Sequence, residues 1–378
     1  MMLVYLIAGE ASGDVLGARL IAALRARAPD LAFAGIGGER MAEQGLVSLF
    51  PMRELALMGL IEVLPRLLQL RRRLAQTLAD IEARRPALLV TIDSPGFTLR
   101  VARAAKARGI PVLHYVAPQL WAWREGRARK LPGAVDRILA LLPFEPAFFA
   151  RYGMAAEFVG HPVLESGLAA GDGARFRARH GLSADQTLLL VMPGSRRTEV
   201  ARLLPIFGAT LGLLPPLTPV VPLAGPVAEE VARGSALWPR PPILLRDPAE
   251  KPDAFAACTA GLIKSGTSSL ECAVAGLPHV IAYRVHPLTA AIARRLALVR
   301  YASLVNLLND GPVVPELLQE ACTPAQLAAA LAPLLSGEGV AAQRAGFARA
   351  LAQLRPPGGV LPSEAAAAAV LRMLGRGP

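Results

Sequence analysis

Between Ala260 and Tyr283 the chain reads AGLIKSGTSSLECAVAGLPHVIAY, an order of residue types that leaves few folds open. Gly261-Leu262-Ile263 ends a buried strand, Lys264-Ser265-Gly266-Thr267-Ser268 makes a small-residue turn, and Ser269–Ala275 makes a short helix. Gly276-Leu277-Pro278 stops that helix, and His279–Tyr283 begins the next strand. Strand, turn, helix and strand in so short a span make a parallel α/β unit. Its turns gather at the carboxyl ends of the sheet, where open α/β folds bind ligands. Gly266 lets the backbone approach an anion, while Thr267, Ser268 and the first helical N–H groups can donate to phosphate oxygens. Glu271 lies too far along to cap the helix and is placed to accept from the vicinal hydroxyls of a ribose. A plain Gly-Ser turn with a solvated Glu is the bland alternative. The ordered combination favours a nucleotide site.

The cadence recurs. Leu3–Ala8 is a strand, Gly9-Glu10-Ala11-Ser12-Gly13-Asp14 a small-residue turn, and Val15–Ala28 an amphipathic helix. The turn is not the Gly-x-Gly-x-x-Gly of dinucleotide-binding proteins, and no acidic residue ends the next strand, Leu31–Ile36. Either Ser12 or Asp14 caps the helix, or the anions Glu10 and Asp14, which would repel a phosphate, do other work in a site. Ala87–Ile92 is a strand with Asp93-Ser94-Pro95-Gly96 at its carboxyl end, where Asp93 is a helix cap or a site carboxylate. Pro111–Tyr115 runs into VAPQLWAWR (116–124), placing Trp121 and Trp123 in one loop. Exposed indoles are costly without a partner. Asp136–Leu142 adds a strand, and Phe158-Val159-Gly160-His161-Pro162 closes a first domain, with His161 more simply a linker residue than a catalytic one.

Ala169–Gly173 is small and polar, as a hinge should be. Thr187–Met192 then starts a second α/β series, followed by PGSRRTE (193–199) and a helix to about Leu214. Arg196 in that turn can grip a phosphate through two N–H groups. Val220–Ala224 and Ile243–Leu245 add strands, Thr289–Leu298 is a helix, 301–308 is irregular, and alanine-rich helix follows Pro324. The expected division is 1–165 and 166–345, each Rossmann-like, with C-terminal helices over 346–378 that cross back to the first domain or meet a partner subunit. Two such halves facing across a cleft make the GT-B arrangement, which suggests nucleotide-sugar transfer. The chain has no Asp-x-Asp to hold a divalent ion, so neither metal nor cofactor is expected. The leaving diphosphate then falls to the helix start and to Arg196.

With 378 residues, 53% of them apolar and only 5% aromatic, helices packed on sheets are favoured over an all-β fold. No apolar run approaches the ~18 residues of a membrane span, and the N-terminus carries no basic leader. Cys258, Cys272 and Cys322 are too scattered for a disulfide framework or a metal site. A cytosolic protein is expected. The net charge of +12 asks for an acidic partner. No Lys/Arg block interleaved with aromatics supports nucleic acid, and an anionic membrane or a phosphorylated substrate explains the charge as well.

Met58–Leu78 stands apart, with Leu60, Ile61, Val63, Leu64, Leu67, Leu68 and Leu70 crowding a helical segment that ends in Arg71-Arg72-Arg73. A core helix with a charged tail is one reading. A helix lying in an anionic bilayer interface, with Leu64, Leu67, Leu68, Arg71 and Arg72 on the lipid, is the other.

AGEASGD (8–14), MGLIEVL (58–64), IDSPGF (92–97), HYVAPQLWAWR (114–124), LPFEPAFF (142–149), VGHP (159–162), PGSRRTEV (193–200), SGTSSLE (265–271), YASLVNLL (301–308) and PELLQEACTP (315–324) together resemble the lipid-A-disaccharide synthase family. The resemblance implies an inverting GT-B glycosyltransferase. Such an enzyme moves 2,3-diacylglucosamine from UDP to the 6-hydroxyl of 2,3-diacylglucosamine 1-phosphate (lipid X), forming a β-1,6 disaccharide. It implies Asp93 as general base, Glu10 and Asn306 lining the site, and Arg196 and Glu271 on UDP beside Ser265, Gly266, Thr267 and Ser268. Ser12, Asp14, Trp121 and Trp123 are the further candidates for sugar or acceptor contacts. Gly96 and Thr98 depart from relatives that carry Asp and Asn there. The implied setting is the cytoplasmic, anionic face of the inner membrane, as a peripheral protein; a homodimer is left open and nucleic acid is not expected. A UDP-sugar 2-epimerase of the same architecture and a basic nucleic-acid-binding protein are the alternatives.

Overall fold

The structure is a computed structural model that describes residues 2–377 except 56–59, 124, 224 and 297, and at 60–67, 226, 288, 292–294 and 296 describes the backbone alone. The chain forms two compact units, Met1–Pro162 with Leu354–Pro378, and Val163–Gln353.

In the first unit six parallel strands stand in the order β2-β1-β3-β4-β5-β6. They are β1 (Leu3–Ala8), β2 (Ala32–Ile36), β3 (Leu88–Ile92), β4 (Val112–Tyr115), β5 (Arg137–Ala140) and β6 (Ala156–Phe158). Their unbroken apolar runs follow from burial on both faces, as in parallel sheets generally. Along β1, Val4, Leu6 and Ala8 enter one core while Tyr5 and Ile7 enter the other, because successive side chains point to opposite faces. The first core is roofed by α1 (Ala11–Arg27), α2 (Glu39–Glu43) and, from the chain's end, α16 (Pro362–Met373). The second lies under α3 (Leu60–Arg84), α4 (Pro95–Lys106), α5 (Leu120–Trp123) and α6 (Glu145–Ala150). At the return crossing, His161 N–H donates to Leu354 O at 3.0 Å. Gly160, at φ +82°, admits Pro356 where a Cβ would stand 2.6 Å from its Cδ.

The helix expected over Met58–Leu78 is found as Leu60–Arg84, with Met58 and Gly59 outside the described residues. Its arginines are not a tail. Arg73 donates to both oxygens of Glu54, at 2.7 and 2.8 Å, and stacks 4.7 Å from the Phe50 ring. Leu70, Leu74, Leu78 and Ile81 continue the stripe against the core.

The second unit repeats the plan, in the order β12-β11-β10-β7-β8-β9, again parallel. Its strands are β7 (Leu188–Met192), β8 (Thr218–Pro222), β9 (Ile243–Leu245), β10 (Ala260–Lys264), β11 (His279–Tyr283) and β12 (Glu316–Leu318). Between and after them run α7 (Gly173–His180), α8 (Arg197–Leu213), α9 (Ala228–Ser235), α10 (Lys251–Ala257), α11 (Ser268–Val274), α12 (Pro287–Leu296), α13 (Leu304–Asn309), α14 (Pro324–Leu335) and α15 (Val340–Gln353). The stretch expected to be irregular, 301–308, holds most of α13. Ser303 starts that helix by accepting from Val305 N–H at 3.1 Å, and Asp310, at φ +46°, ends it. Among the described residues no single helix is long and apolar enough to cross a membrane.

In each sheet the order in which strands are added reverses once. In the first the switch falls between β1 and β3, and in the second between β7 and β10. Open α/β sheets hold ligands at such points, beyond the carboxyl ends of the strands.

Candidate functional site

At the first switch point Asp93 follows β3. Asp93 and Ser94 both have left-handed backbone, at φ +50° and +48°, a conformation that costs a residue with a Cβ roughly 1–2 kcal/mol. The turn is held against that cost. Asp93 N–H donates to Tyr115 O at 3.0 Å, and the Asp93 carboxylate accepts from Ser94 N–H at 2.7 Å. The buried Thr98 hydroxyl lies 2.7 Å from Asp93 O and 2.9 Å from Ser94 O, within reach of both carbonyls. The position singled out only as a departure is thus a brace for the turn. Asp93 itself stays half-buried, with its side chain on a rigid base.

Glu10 occupies the N-cap position of α1 and lines a pocket of about 310 Å³ with Ser94, Pro95, Gly96 and Phe97. Ser12 is exposed on the first turn of that helix. Asp14 is engaged with backbone amides. One carboxylate oxygen accepts from Gly38 N–H (2.7 Å) and Met41 N–H (3.1 Å), the other from Arg40 N–H (3.0 Å). It caps α2 rather than its own helix, and at 5% exposure it holds the stretch 38–41 in place.

The two tryptophans part company. Trp121 is half-buried, edge-on to Phe144 at 5.0 Å, and donates its indole N–H to Glu145 at 3.0 Å. Trp123 is 47% exposed. Glu145, missed in the sequence, also accepts from the amides of Leu141 and Leu142 at 2.9 and 3.0 Å. Burial pushes its carboxyl up to about 7, outweighing these donors, which pull the other way. The LPFEP run (142–146) held the only hint. His161 is buried with its pKa pushed down to about 4, so it is neutral at ordinary pH.

Of the residues expected on a membrane, the side chains of Leu64 and Leu67 lie outside the described residues. Leu68 is 78% exposed, and Arg71 and Arg72 are exposed, with Arg71 also on the wall of the Glu10 pocket.

The second switch point joins the turn after β7 to the turn after β10. Glu199, one turn into α8, folds back beneath both. Its carboxylate lies 3.1 Å from Lys264 Nζ, 3.4 Å from Arg196 Nη1 and 3.3 Å from Ser195 N–H. Gly194, at φ +125°, is required here, since a Cβ would stand 2.8 Å from Glu199 Oε2. Arg196 therefore sits exposed but tethered at the N-cap of α8. Lys264, which ends β10 and reaches to 5.7 Å from the Tyr283 ring, is the cation overlooked in the sequence. Two cations around one buried carboxylate leave a net positive charge on a small-residue turn.

Ser265 bonds Ala302 O through its hydroxyl at 3.1 Å, Thr267 is exposed at the N-cap of α11, and Gly266 and Ser268 are half-buried between them. Beneath the turn, Ser269 Oγ meets His279 Nε2 (2.9 Å) and Ser303 Oγ (3.0 Å), anchoring α11 to α13. Glu271 pairs through Oε1 with Lys251 at 2.7 Å. Asn306 is buried. At 1% exposure its amide N–H groups go to Val314 O and Glu316, and its oxygen accepts from Val313 and Val314 N–H, so every bonding position is filled.

Each sheet thus carries a charged half-site at its switch point, a braced carboxylate in one and a cationic cradle in the other. Solved structures with the same fold include the S. aureus MnaA–UDP co-structure, at a TM-score of 0.65 and 14% identity over 100% of this chain and 99% of that one. A calicheamicin glycosyltransferase follows at 0.59 and 16%, covering 100% and 99%. A Neisseria meningitidis UDP-GlcNAc 2-epimerase superposes at 0.64 and 12%, covering 99% of each, so the GT-B fold alone does not choose between transferase and epimerase. Full-length relatives do. A lipid-A-disaccharide synthase of Granulibacter bethesdensis is 54% identical over 99% of each chain, and one of Gluconobacter oxydans is 52% identical over 98% of this chain and 90% of its own. The family model for lipid-A-disaccharide synthetase matches residues 4–369. By that match and those identities, the chain belongs to the lipid-A-disaccharide synthase family of glycosyltransferases.

Proposed function

We propose that the chain transfers 2,3-diacylglucosamine from UDP to the 6-hydroxyl of 2,3-diacylglucosamine 1-phosphate with inversion, using Asp93 as the base. The braced left-handed turn at Asp93, at the switch point of its sheet, is the observation that carries this reading. Asp93 takes the proton as the acceptor oxygen bonds to the anomeric carbon, on the face opposite the bond breaking to the diphosphate. The charge that builds on the leaving diphosphate is met by Arg196 and by the amides of the turns around Gly194 and Gly266. Glu271, with Oε1 on Lys251, offers Oε2 to a ribose hydroxyl. Thr267 and Ser268 donate to phosphate oxygens, and Glu10, Ser12 and Trp123 belong to the acceptor half.

Acyl chains on both substrates bring the reaction to a bilayer surface. The exposed Leu68 and Arg72 and the net charge of +12 support contact with an anionic one.

The test is a mass-spectrometric assay with both lipids. Wild type should form the disaccharide and UDP only when the acceptor is present. Asp93→Asn should lower turnover by about 10²–10⁴-fold while UDP binding holds. Epimerisation of the donor without acceptor, or turnover of the variant within about tenfold of wild type, would overturn the reading.

A further inference from the structure

The pocket beside Glu10 has a composition that the transfer chemistry does not require. Leu55, Leu70, Leu74, Pro95 and Phe97 give it an apolar lining, and Glu10 and Ser94 bring polar groups from the strand-end turns. Arg71 from α3 and Arg100 from α4 stand on its wall as well. Neither guanidinium has an ion-pair or hydrogen-bond partner among the described residues, whereas Arg73 and Arg84 on the same α3 are both bound to carboxylates. Gly96 adds neither charge nor bulk, and a Cβ there would meet nothing within 4 Å. At about 310 Å³ the space is at the small end of ligand pockets. It suits one sugar and the first carbons of an acyl chain.

Two guanidinium groups without a partner among the described residues, beside leucines, call for an amphiphile with an anionic head. Arg100 lies about 9 Å beyond Ser94 by the rise of a helix. An acceptor with its reactive hydroxyl near Glu10 and Asp93 would thus carry its anion towards the arginines, away from the two carboxylates. We propose that Arg71 and Arg100 bind the 1-phosphate of the acceptor while Leu70, Leu74 and Phe97 hold the base of an acyl chain. This rests on the transfer reaction proposed above and names the residues that make it selective for a phosphorylated acceptor. A guanidinium pair matches phosphate through paired N–H groups, which lysine or a neutral side chain does not reproduce.

The same chemistry could serve a bilayer phospholipid, so the test has separate arms. In detergent micelles without donor, binding of the 1-phosphorylated lipid is compared with that of the same lipid bearing a free 1-hydroxyl. Wild type should prefer the phosphorylated form by about tenfold or more, the scale of a charge-assisted bidentate contact. Arg71→Gln/Arg100→Gln should lose that preference, with its melting temperature and its affinity for UDP kept. A preference that persists in the double variant, or an equal loss for both lipids, overturns the proposal. In the second arm, sedimentation with phosphatidylglycerol vesicles should change little. A large drop there with micellar selectivity intact would assign the arginines to the bilayer and overturn it too. Both arms read binding, so absence of disaccharide in the transfer assay would sink the proposed reaction without deciding the phosphate contact.

Discussion

Gly9 approaches Ser94 so closely that a Cβ on the glycine would stand 2.5 Å from the serine Cβ. The turns after β1 and β3 are therefore one interlocked structure, and Asp93 is positioned by both. Gly9→Ala should push Ser94 away and move the carboxylate beside it. Overpacking of this kind costs about 1–3 kcal/mol. The expected outcome is a modest fall in melting temperature with a loss of kcat of about 10²-fold, the cost of misplacing a catalytic group by an ångström. Turnover within threefold of wild type would show that the turn yields without consequence.

Glu145 makes a pH prediction. Its carboxyl is raised from an ordinary 4.5 to about 7 by burial, so between those values the folded chain holds a proton that the unfolded chain has released. Stability falls wherever the folded state binds more protons and pH rises. This residue is therefore neutral in effect below 4.5, costs progressively more stability up to about 7, and is level above that. Glu145→Gln removes the titration while keeping an acceptor for the Leu141 and Leu142 amides. Its melting temperature relative to wild type should climb across that window. A difference that is flat with pH counts against the buried acid.

In the proposed reaction the diphosphate charge is met by protein cations, with Arg196 and Lys264 flanking the turns at Gly194 and Gly266 and no Asp-x-Asp in the chain. Transfer activity should survive excess EDTA. Loss of activity that magnesium restores would mean that a metal carries the diphosphate charge.

Leu68 and Leu74 lie on one helix in different surroundings, the first 78% exposed and the second packed against the core. Leu68→Ser should leave the melting temperature nearly unchanged and weaken binding to anionic vesicles, by up to the ~1.5–3 kcal/mol of a fully buried leucine. Leu74→Ser should instead lower stability, by about 2 kcal/mol or more. Equal melting losses for both, with vesicle binding unchanged, would place the whole of α3 in the core.

The strands were legible because burial on two faces makes each a short unbroken apolar run between glycine-rich turns. The turns at Asp93, Arg196 and Gly266 were legible because small and charged residues follow those runs at once. The backbone-bonding roles of Asp14 and Asn306 were not legible for a shared reason. A short polar side chain in a turn looks the same in sequence whether it faces a ligand or caps backbone amides. Asp14 finds its amides 24 to 27 residues away. Lys264 was passed over because a strand-end lysine gains its meaning only from Glu199, which the fold brings to 3.1 Å across the switch point. The reach of α3 was hidden by Arg71-Arg72-Arg73, which resembles a helix end until Glu54 and Phe50 are seen to hold Arg73.

The return of the chain at Leu354 has a consequence for how the molecule is made. The first unit's core includes Ala366, Ala367, Ala369, Val370, Leu371 and Leu374 of the last helix. During synthesis the whole of the second unit leaves the ribosome before that helix does. The half with Asp93 must wait, with one apolar face of its sheet incompletely roofed, until α16 emerges. A nascent chain stopped before Leu354 would hold all of the second unit and a first unit still lacking part of its core.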